Sequence, residues 1–372
     1  RSNARRGDAS WRARRPRATA RSRNTAGGRF PGLPEGFERE VRISLERACQ
    51  KDTEQALSTP GRFWNFTWEK TDMSTFQCLL VATDCSDRAG RAEARAALLC
   101  REHQSGRAEL LTVRERGEPD VLARIMKSTV EAATALATEN ARRELQLRAG
   151  LLKDNHGVDF DCNVRFGHPA AEIVARAEET NADLVVIGAH GGNFFSDLLL
   201  GNTADKLTHL CKRPLLVVKN LPQQAYQRVL VPVDFSDDSR RAAELALAIA
   251  PKADVTFLHA FEVLVEGQMQ YANIPRETIY EYRLKAHEDA REQLNQFISE
   301  LNAEDRFISR AITFGLPGPV VRDHVKTTKP DLVVLGKHGK SRFAEMILGS
   351  VTRDTIDQTD CDVLVAPVQH NA

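Results

Sequence analysis

Two stretches of this sequence, 148 residues apart, read almost alike: "DLVVIGAHGG" (Asp183 to Gly192) and "DLVVLGKHGK" (Asp331 to Lys340). The match extends to both sides. "CLLVATDCSD" (Cys78 to Asp87) is answered by "VLVPVDFSDD" (Val229 to Asp238), "LLLGNTADKL" (Leu198 to Leu207) by "MILGSVTRDT" (Met346 to Thr355), and "RPLLVVK" by "CDVLVAP". Equivalent positions are offset by 148 to 150 residues. That period is domain-sized, so the chain is a tandem duplication and not a solenoid of short repeats. The expected layout of the 372 residues is a basic, disordered arm with a short helix over 1–75, then domains over 76–220 and 226–370.

Each copy alternates strand and helix patterns. In the second copy "RVLVPVDF" precedes a helix over "DDSRRAAELALAIA", with Ser236 or Asp237 as its cap. The strand "DVTFLHAF" leads to a helix from about Ile279 to Leu301, and "FISRAITFG" to a helix over "PGPVVRDHVKT". "DLVVLG", a glycine loop, a helix from Ser350 and "DVLVAP" complete the unit. Continuous apolar runs such as "DLVVLG" suit strands covered on both faces. Strands alternating with helices predict an α/β fold, two tandem doubly wound domains, each with a five-stranded parallel sheet. Ligands of such sheets bind beyond the carboxyl ends of the strands, where strand order reverses. Asp84 or Asp234 and the glycine loop of the same copy are thereby brought to one mouth.

The glycine loop sets the chemistry. Gly339-Lys340-Ser341 resembles the end of a P-loop, but that motif needs a glycine where Val334 stands. Gly336, Gly339 and Gly349-Ser350 instead spell G-x2-G-x9-G-[ST]. Glycines let backbone amides approach a ligand closely, and consecutive amides form an anion-binding concavity. A helix opening at "GSVTRDTI" adds unpaired amides and a favourable dipole, with the Ser350 and Thr352 hydroxyls as further donors. The loop therefore suits a nucleotide's phosphate chain; the plainer alternative is a glycine-shaped turn. In the first copy Gly188, Gly191 and Gly201 keep the spacing, and Asn202 replaces the serine. His190 and His338 hold equal places and read as turn packing or phosphate contacts, Lys337 and Lys340 as solvated loop cations or screens of phosphate charge. Asp84 and Asp234 are helix-capping or turn residues, or carboxylates that accept hydrogen bonds from a ribose or base.

These residues resemble the universal stress protein family, as a tandem two-domain member, over roughly Phe76 to Gln369. The most specific elements are "LVPVDFSDDS", "DLVVLGKHGKS" and "ILGSVT". The resemblance implies an adenine-nucleotide alpha-hydrolase-like fold and, in one branch, ATP with Mg2+ on its phosphates. It places nucleotide contacts on Pro232, Val233, Asp234, Ala260, Leu335, Gly336, His338, Gly339, Gly349, Ser350, Val351 and Thr352. The first-copy equivalents are Thr83, Asp84, Val113, Gly188, Gly191, Gly201, Asn202 and Thr203, weakened by Ala82 in place of proline and by Asn202. It also implies pairing through the last strand. Within one chain, "LLVVK" beside "DVLVAP" would make an internal pseudo-dimer, with a homodimer as a further expectation.

The remaining composition bounds the alternatives. No apolar run approaches the roughly 18 residues of a membrane span. Seven scattered cysteines without a C-x-x-C pair read as free thiols of a reducing cytoplasm, and no histidine spacing nominates a metal. The first 23 residues carry nine arginines against Asp8, a net +8 within a chain of net +1. Any attraction to nucleic acid thus belongs to this arm. Its Arg/Ser-rich start, with no initiating Met, also fits a transit segment or a trimmed leader. The aromatic knot Phe63, Trp64, Phe66 and Trp68 is expected to pack on the first domain. No catalytic constellation is legible, so the leading reading is an ATP-binding stress regulator. A slow ATPase or phosphotransfer enzyme, and a nucleotide-free interaction module with a nucleic-acid-binding arm, are the alternatives.

Overall fold

In the computed structural model, which describes residues 76–368 apart from 116, 128, 190–199, 264–270, 273, 302, 304–305 and 340–347, the apolar runs of both copies lie in one sheet. The first copy supplies β1 (Cys78–Ala82), β2 (Arg107–Arg114), β3 (Asp161–Phe166), β4 (Leu184–Gly188) and β5 (Leu215–Val218). The second supplies β6 (Arg228–Pro232), β7 (Asp254–Phe261), β8 (Ile308–Phe314), β9 (Leu332–Gly336) and β10 (Asp362–Ala366). The helices of the first copy are α1 (Ala89–His103), α2 (Gly117–Met126), α3 (Val130–His156), α4 (Pro169–Glu179) and α5 (Asn202–Leu210). Those of the second are α6 (Asp237–Ile249), α7 (Arg276–Ser299), α8 (Pro317–Thr328) and α9 (Ser350–Gln358). The basic arm with its aromatic knot, and His190, Gly191 and Lys340, fall outside the described residues.

The strand order is β3-β2-β1-β4-β5-β10-β9-β6-β7-β8. All neighbours within a copy pair parallel, so the predicted five-stranded parallel sheet occurs twice. β5 and β10 join antiparallel, Val217 opposite Val363 and Leu216 opposite Leu364, as read from "LLVVK" and "DVLVAP". β5 is buried along its whole length. In a single copy it would be an open apolar edge; here its unpaired backbone groups meet β10.

Side-chain alternation along the strands divides the core. Leu79, Val81, Leu184 and Val186 face one side, together with Val229, Val231, Leu332, Val334 and Leu364 of the second copy, in one continuous cluster. On the other side each copy keeps its own cluster, around Leu80, Val185 and Ile187 or around Leu230, Val333 and Leu335. Each such fully buried side chain stabilises by about 1.5–3 kcal/mol relative to exposure. The two copies therefore share a core on one face and differ in ownership on the other.

Polar groups hold the junction. Asp362, 1% exposed, accepts the Lys219 N–H at 2.9 Å and the Tyr226 hydroxyl at 2.8 Å, and faces Arg95 Nε at 3.4 Å. The Arg95 guanidinium lies 3.9 Å from the centre of the Tyr226 ring. Two lysines, Lys219 half-buried and Lys337 buried, cap helices reciprocally. Lys219 Nζ donates to the Ile356 and Thr359 carbonyls at 2.5 Å each, closing the end of α9. Lys337 Nζ donates to the His209 carbonyl in the last turn of α5. Lys337 was expected to be a solvated loop cation; it is 6% exposed, because orphan carbonyls at a helix end reward a cation brought to them.

Burial holds the Lys219 ammonium below its ordinary value. A lysine whose folded pKa lies below its unfolded one has its charged form penalised by folding at neutral pH. That penalty lifts as pH climbs toward about 10.4. The urea midpoint of the wild type is thus expected to gain on that of Lys219→Met as pH rises toward about 10. A difference that stays flat or narrows would contradict a buried ammonium.

Candidate functional site

In each half of the sheet the order reverses between the first and fourth strands of the copy, β1 and β4 or β6 and β9. The carboxyl ends of these strands carry the candidate residues, and the second copy is the more complete.

β6 ends in Pro232, after which the Val233 N–H donates to the Leu258 carbonyl at 2.8 Å. The Val233 carbonyl accepts from His259 Nδ1 at 2.7 Å. The chain then turns sharply, with Phe235 at φ 62°. Cys85 of the first copy holds the same φ, 62°. A left-handed non-glycine residue costs about 1–3 kcal/mol, and here the same position carries it in both copies. Asp234 Oδ1 accepts the Ser236 N–H at 3.0 Å and the Ser236 hydroxyl at 2.6 Å. Ser236 Oγ in turn accepts the Ser239 N–H, capping α6. Asp234 Oδ2 is turned to the glycine loop, 2.8 Å from where a Cβ on Gly339 would stand. Ala260, half-buried, lies near the end of β7.

The loop packs on the first turn of α6 with no room to spare. A Cβ on Gly336 would lie 2.8 Å from the Asp238 backbone. Asp238 Oδ2 accepts the His338 N–H at 3.1 Å and faces His338 Nδ1 at 3.4 Å. His338 Nε2 is buried without a hydrogen-bond partner, a state that costs about 1–3 kcal/mol unless something pairs it. The Lys337 carbonyl accepts the Gly349 N–H at 2.9 Å, tying the loop to the start of α9.

α9 begins at Ser350 with no side-chain cap and no acidic residue in its first turn. Its leading amides therefore keep their partial positive charge for an incoming anion. Ser350 is exposed and Val351 half-buried. Thr352 takes a different task from the one read in the sequence: it is buried, and its hydroxyl donates to the Gly336 carbonyl at 2.8 Å. That bond fixes the loop and leaves the Thr352 backbone N–H among the leading amides of α9. Arg353 reaches His209 Nε2 at 3.3 Å.

The first copy repeats the frame and changes its charges. Gly201 donates to the Ala189 carbonyl at 2.9 Å, as Gly349 does to Lys337. α5 also opens uncapped, at Asn202 and half-buried Thr203, but Asp205 stands in its first turn where α9 has Arg353. A carboxylate there competes with an anion for the same amides. Asp84 accepts the Ser86 N–H at 3.0 Å, repeating the Asp234 turn. The Thr83 hydroxyl donates to Glu93 Oε1 at 2.5 Å, Arg148 Nη1 pairs with Glu93 Oε2 at 3.0 Å, and Arg148 Nη2 reaches the Cys85 carbonyl. A partly buried ion pair thus stands behind the first-copy turn, whereas the second copy has Val233 and Ala243. Val113 is half-buried at its strand position, as is Gly188.

Sequence reasoning missed Asp238, whose partner lies 100 residues away, and the Asp205/Arg353 exchange, which was legible in the aligned copies. Among the described residues no group of three or more His, Cys, Asp or Glu is arranged to hold a metal, and no helix is long and apolar enough to cross a membrane.

Comparison with known proteins follows the same division. A family model described as the universal stress protein family matches residues 75–219 and again 225–367. A universal stress protein of Synechocystis sp. is 29% identical over 158 residues, covering 39% of this chain and 99% of its own. One from Mycobacterium tuberculosis is 28% identical over 195 residues, covering 50% of this chain and 59% of its own. The crystal structure of a universal stress protein from Archaeoglobus fulgidus superposes with a TM-score of 0.59 at 20% identity, over 78% of this chain and 98% of that one.

Proposed function

The chain belongs to the universal stress protein family, and from that premise we propose that its second copy binds ATP as a cytoplasmic stress-response regulator. One observation carries the reading most directly. Gly336, Gly339 and Gly349 leave no room for a Cβ without movement of a neighbour, and they bring a backbone loop against an uncapped helix start free of acidic side chains. A cradle of amides with net positive partial charge fits a phosphate chain. Leu335, Gly336, His338 and Gly339 would line one side of the nucleotide, Gly349, Ser350 and Val351 the other. Pro232, Val233, Asp234 and Ala260 would meet the nucleoside. Mg2+ would come with the nucleotide as a companion of its phosphates.

The first copy is proposed as the weaker site, since Asp205 places a negative charge in the helix turn that would receive phosphate. The expected result is about one adenine nucleotide per chain, released on denaturing freshly purified protein and identified by chromatography. Two equivalents would show the first copy loaded as well and overturn that ranking. None, even after incubation with ATP and Mg2+, would overturn the nucleotide reading. Because β5 and β10 already cover each other, a homodimer would have to form through another surface.

A further inference from the structure

β8 ends the sheet on the side of the second copy, with no described strand beyond it. Two bonds to β7 set the direction of its backbone groups. The Phe307 carbonyl accepts the Val255 N–H, and the Gly315 N–H donates to the Phe261 carbonyl, each at 2.9 Å. Backbone groups of successive residues point to opposite sides of a strand. The odd-numbered residues therefore face β7, and Ile308, Arg310, Ile312 and Phe314 turn their N–H and C=O groups outward as an open ladder. The side chains match it. Phe307 is 78% exposed and Phe314 43%, the latter held by the Phe261 ring at 5.6 Å and the Arg283 guanidinium at 4.4 Å. Tyr280 and Leu284, on the same stretch of α7 as Arg283, are exposed as well. Arg310 is the only charge between Phe307 and Gly315. The opposite edge is guarded: β3 carries Asp161, facing Arg107 at 3.6 Å, and Arg165, which pairs with Glu172 and Glu179. Charged side chains of this kind blunt an edge against pairing.

We propose that β8 pairs antiparallel with β8 of a second chain, joining two chains about a two-fold axis at Ala311. The strand itself selects this register. An axis normal to the sheet keeps each face on its own side, so residues that stand opposite share a face. With Ala311 on the axis, Arg310 stands opposite Ile312 and Ile308 opposite Phe314 of the other chain. These are the residues whose backbone groups point outward, and each pair exchanges both N–H···O bonds. Ile308 and Ile312 pack against the shared core, so Phe314 meets Ile308 of the other chain on that face, an aromatic against a β-branched side chain. An axis at Arg310 would bring two guanidiniums together. An axis at Ile312 would carry Ile308 past the end of the strand. Pairing of β8 with β3 of another chain would be open-ended, and the β3 charges oppose it. The unguarded edge therefore fits a second copy of itself.

The test uses the full chain. Light scattering across a concentration series reads the mass, alongside Arg310→Pro. The Arg310 N–H points away from β7, so proline there removes an outward donor and leaves the ladder to β7 whole. The expected result is a wild-type dimer whose dissociation constant rises at least about tenfold in Arg310→Pro, with the urea midpoint shifted little. Cysteine cross-linking reads the register. Ser309 and Thr313 are exposed and would stand opposite each other in a non-hydrogen-bonded pair, about 4.5 Å between Cα atoms, within reach of a disulfide. Within one chain they lie about 13 Å apart. Ser309→Cys combined with Thr313→Cys should therefore give a disulfide between chains under mild oxidation, and neither substitution alone should. If Arg310→Pro proves unstable, the cross-link decides alone. A wild type that stays monomeric throughout the series would overturn the proposal, as would a dimer without the cross-link in the double variant. Assemblies growing beyond two chains would also overturn it, because they require a second edge.

Discussion

Gly336→Ala is expected to weaken ATP binding by at least about tenfold, or 1.4 kcal/mol, and to destabilise the second copy by about 1–3 kcal/mol, the range of overpacked cores. The new Cβ would lie 2.8 Å from the Cβ, the carbonyl carbon and the carbonyl oxygen of Asp238. Backbone cannot swing aside as the end of a side chain can. Either β9 or the first turn of α6 must move, and each movement pulls Asp238 off His338 and strains the loop closed by Gly349 and Thr352. Two comparators give a graded series. At Gly339 the Cβ would meet Asp234 Oδ2 at 2.8 Å, a carboxylate that can turn, at the cost of its hold on Ser236. At Gly349 the nearest atom is the Lys337 carbonyl oxygen at 3.3 Å, and a few tenths of an ångström suffice. Losses in an ATP titration of the folded variants should therefore run Gly336→Ala, then Gly339→Ala, then Gly349→Ala. Equal losses at all three would contradict a loop packed this tightly.

The second large effect belongs to the junction. Asp362→Ala is expected to cost about 3–5 kcal/mol, the range for removing one partner of a buried ion pair. The loss strands the Tyr226 hydroxyl and the Lys219 N–H, and it leaves Arg95, only 6% exposed, without its carboxylate. Asp331→Ala is the control. Asp331 Oδ2 also accepts two backbone N–H groups, from Gln227 and Arg228 at 2.9 Å each, but its side chain is 33% exposed. Water can replace those bonds, so a loss nearer about 1 kcal/mol is expected. Denaturant unfolding of the two variants reads the difference. If both lost the same amount, the buried cluster would not be what joins the copies.

The fold was legible because its main signals are local and occur twice. Runs such as "DLVVLG" are too apolar for a half-exposed strand, and the repeat period fixed which strand answered which. The β5–β10 contact could be read because an apolar last strand needs a partner. The candidate site was legible only in part. Glycines and the helix start are close in sequence and carry their own backbone logic. The Asp238–His338 pair spans 100 residues, and only the parallel pairing of β6 with β9 brings α6 under the loop. Lys337 misled for a related reason: a lysine in a polar loop reads as solvated, and its partner is a carbonyl of the other copy. The Thr352–Gly336 bond was not legible, because a hydroxyl near a helix start can serve a ligand or a neighbouring carbonyl equally well.

A crystal structure of the chain grown with ATP and Mg2+ tests the central claim most directly. The expected electron density is a phosphate chain between the Gly339 backbone and the leading amides of α9, with the nucleoside toward Asp234. An empty cleft with Asp234 still packed on Gly339, or a nucleotide bound away from Ser350, would contradict it.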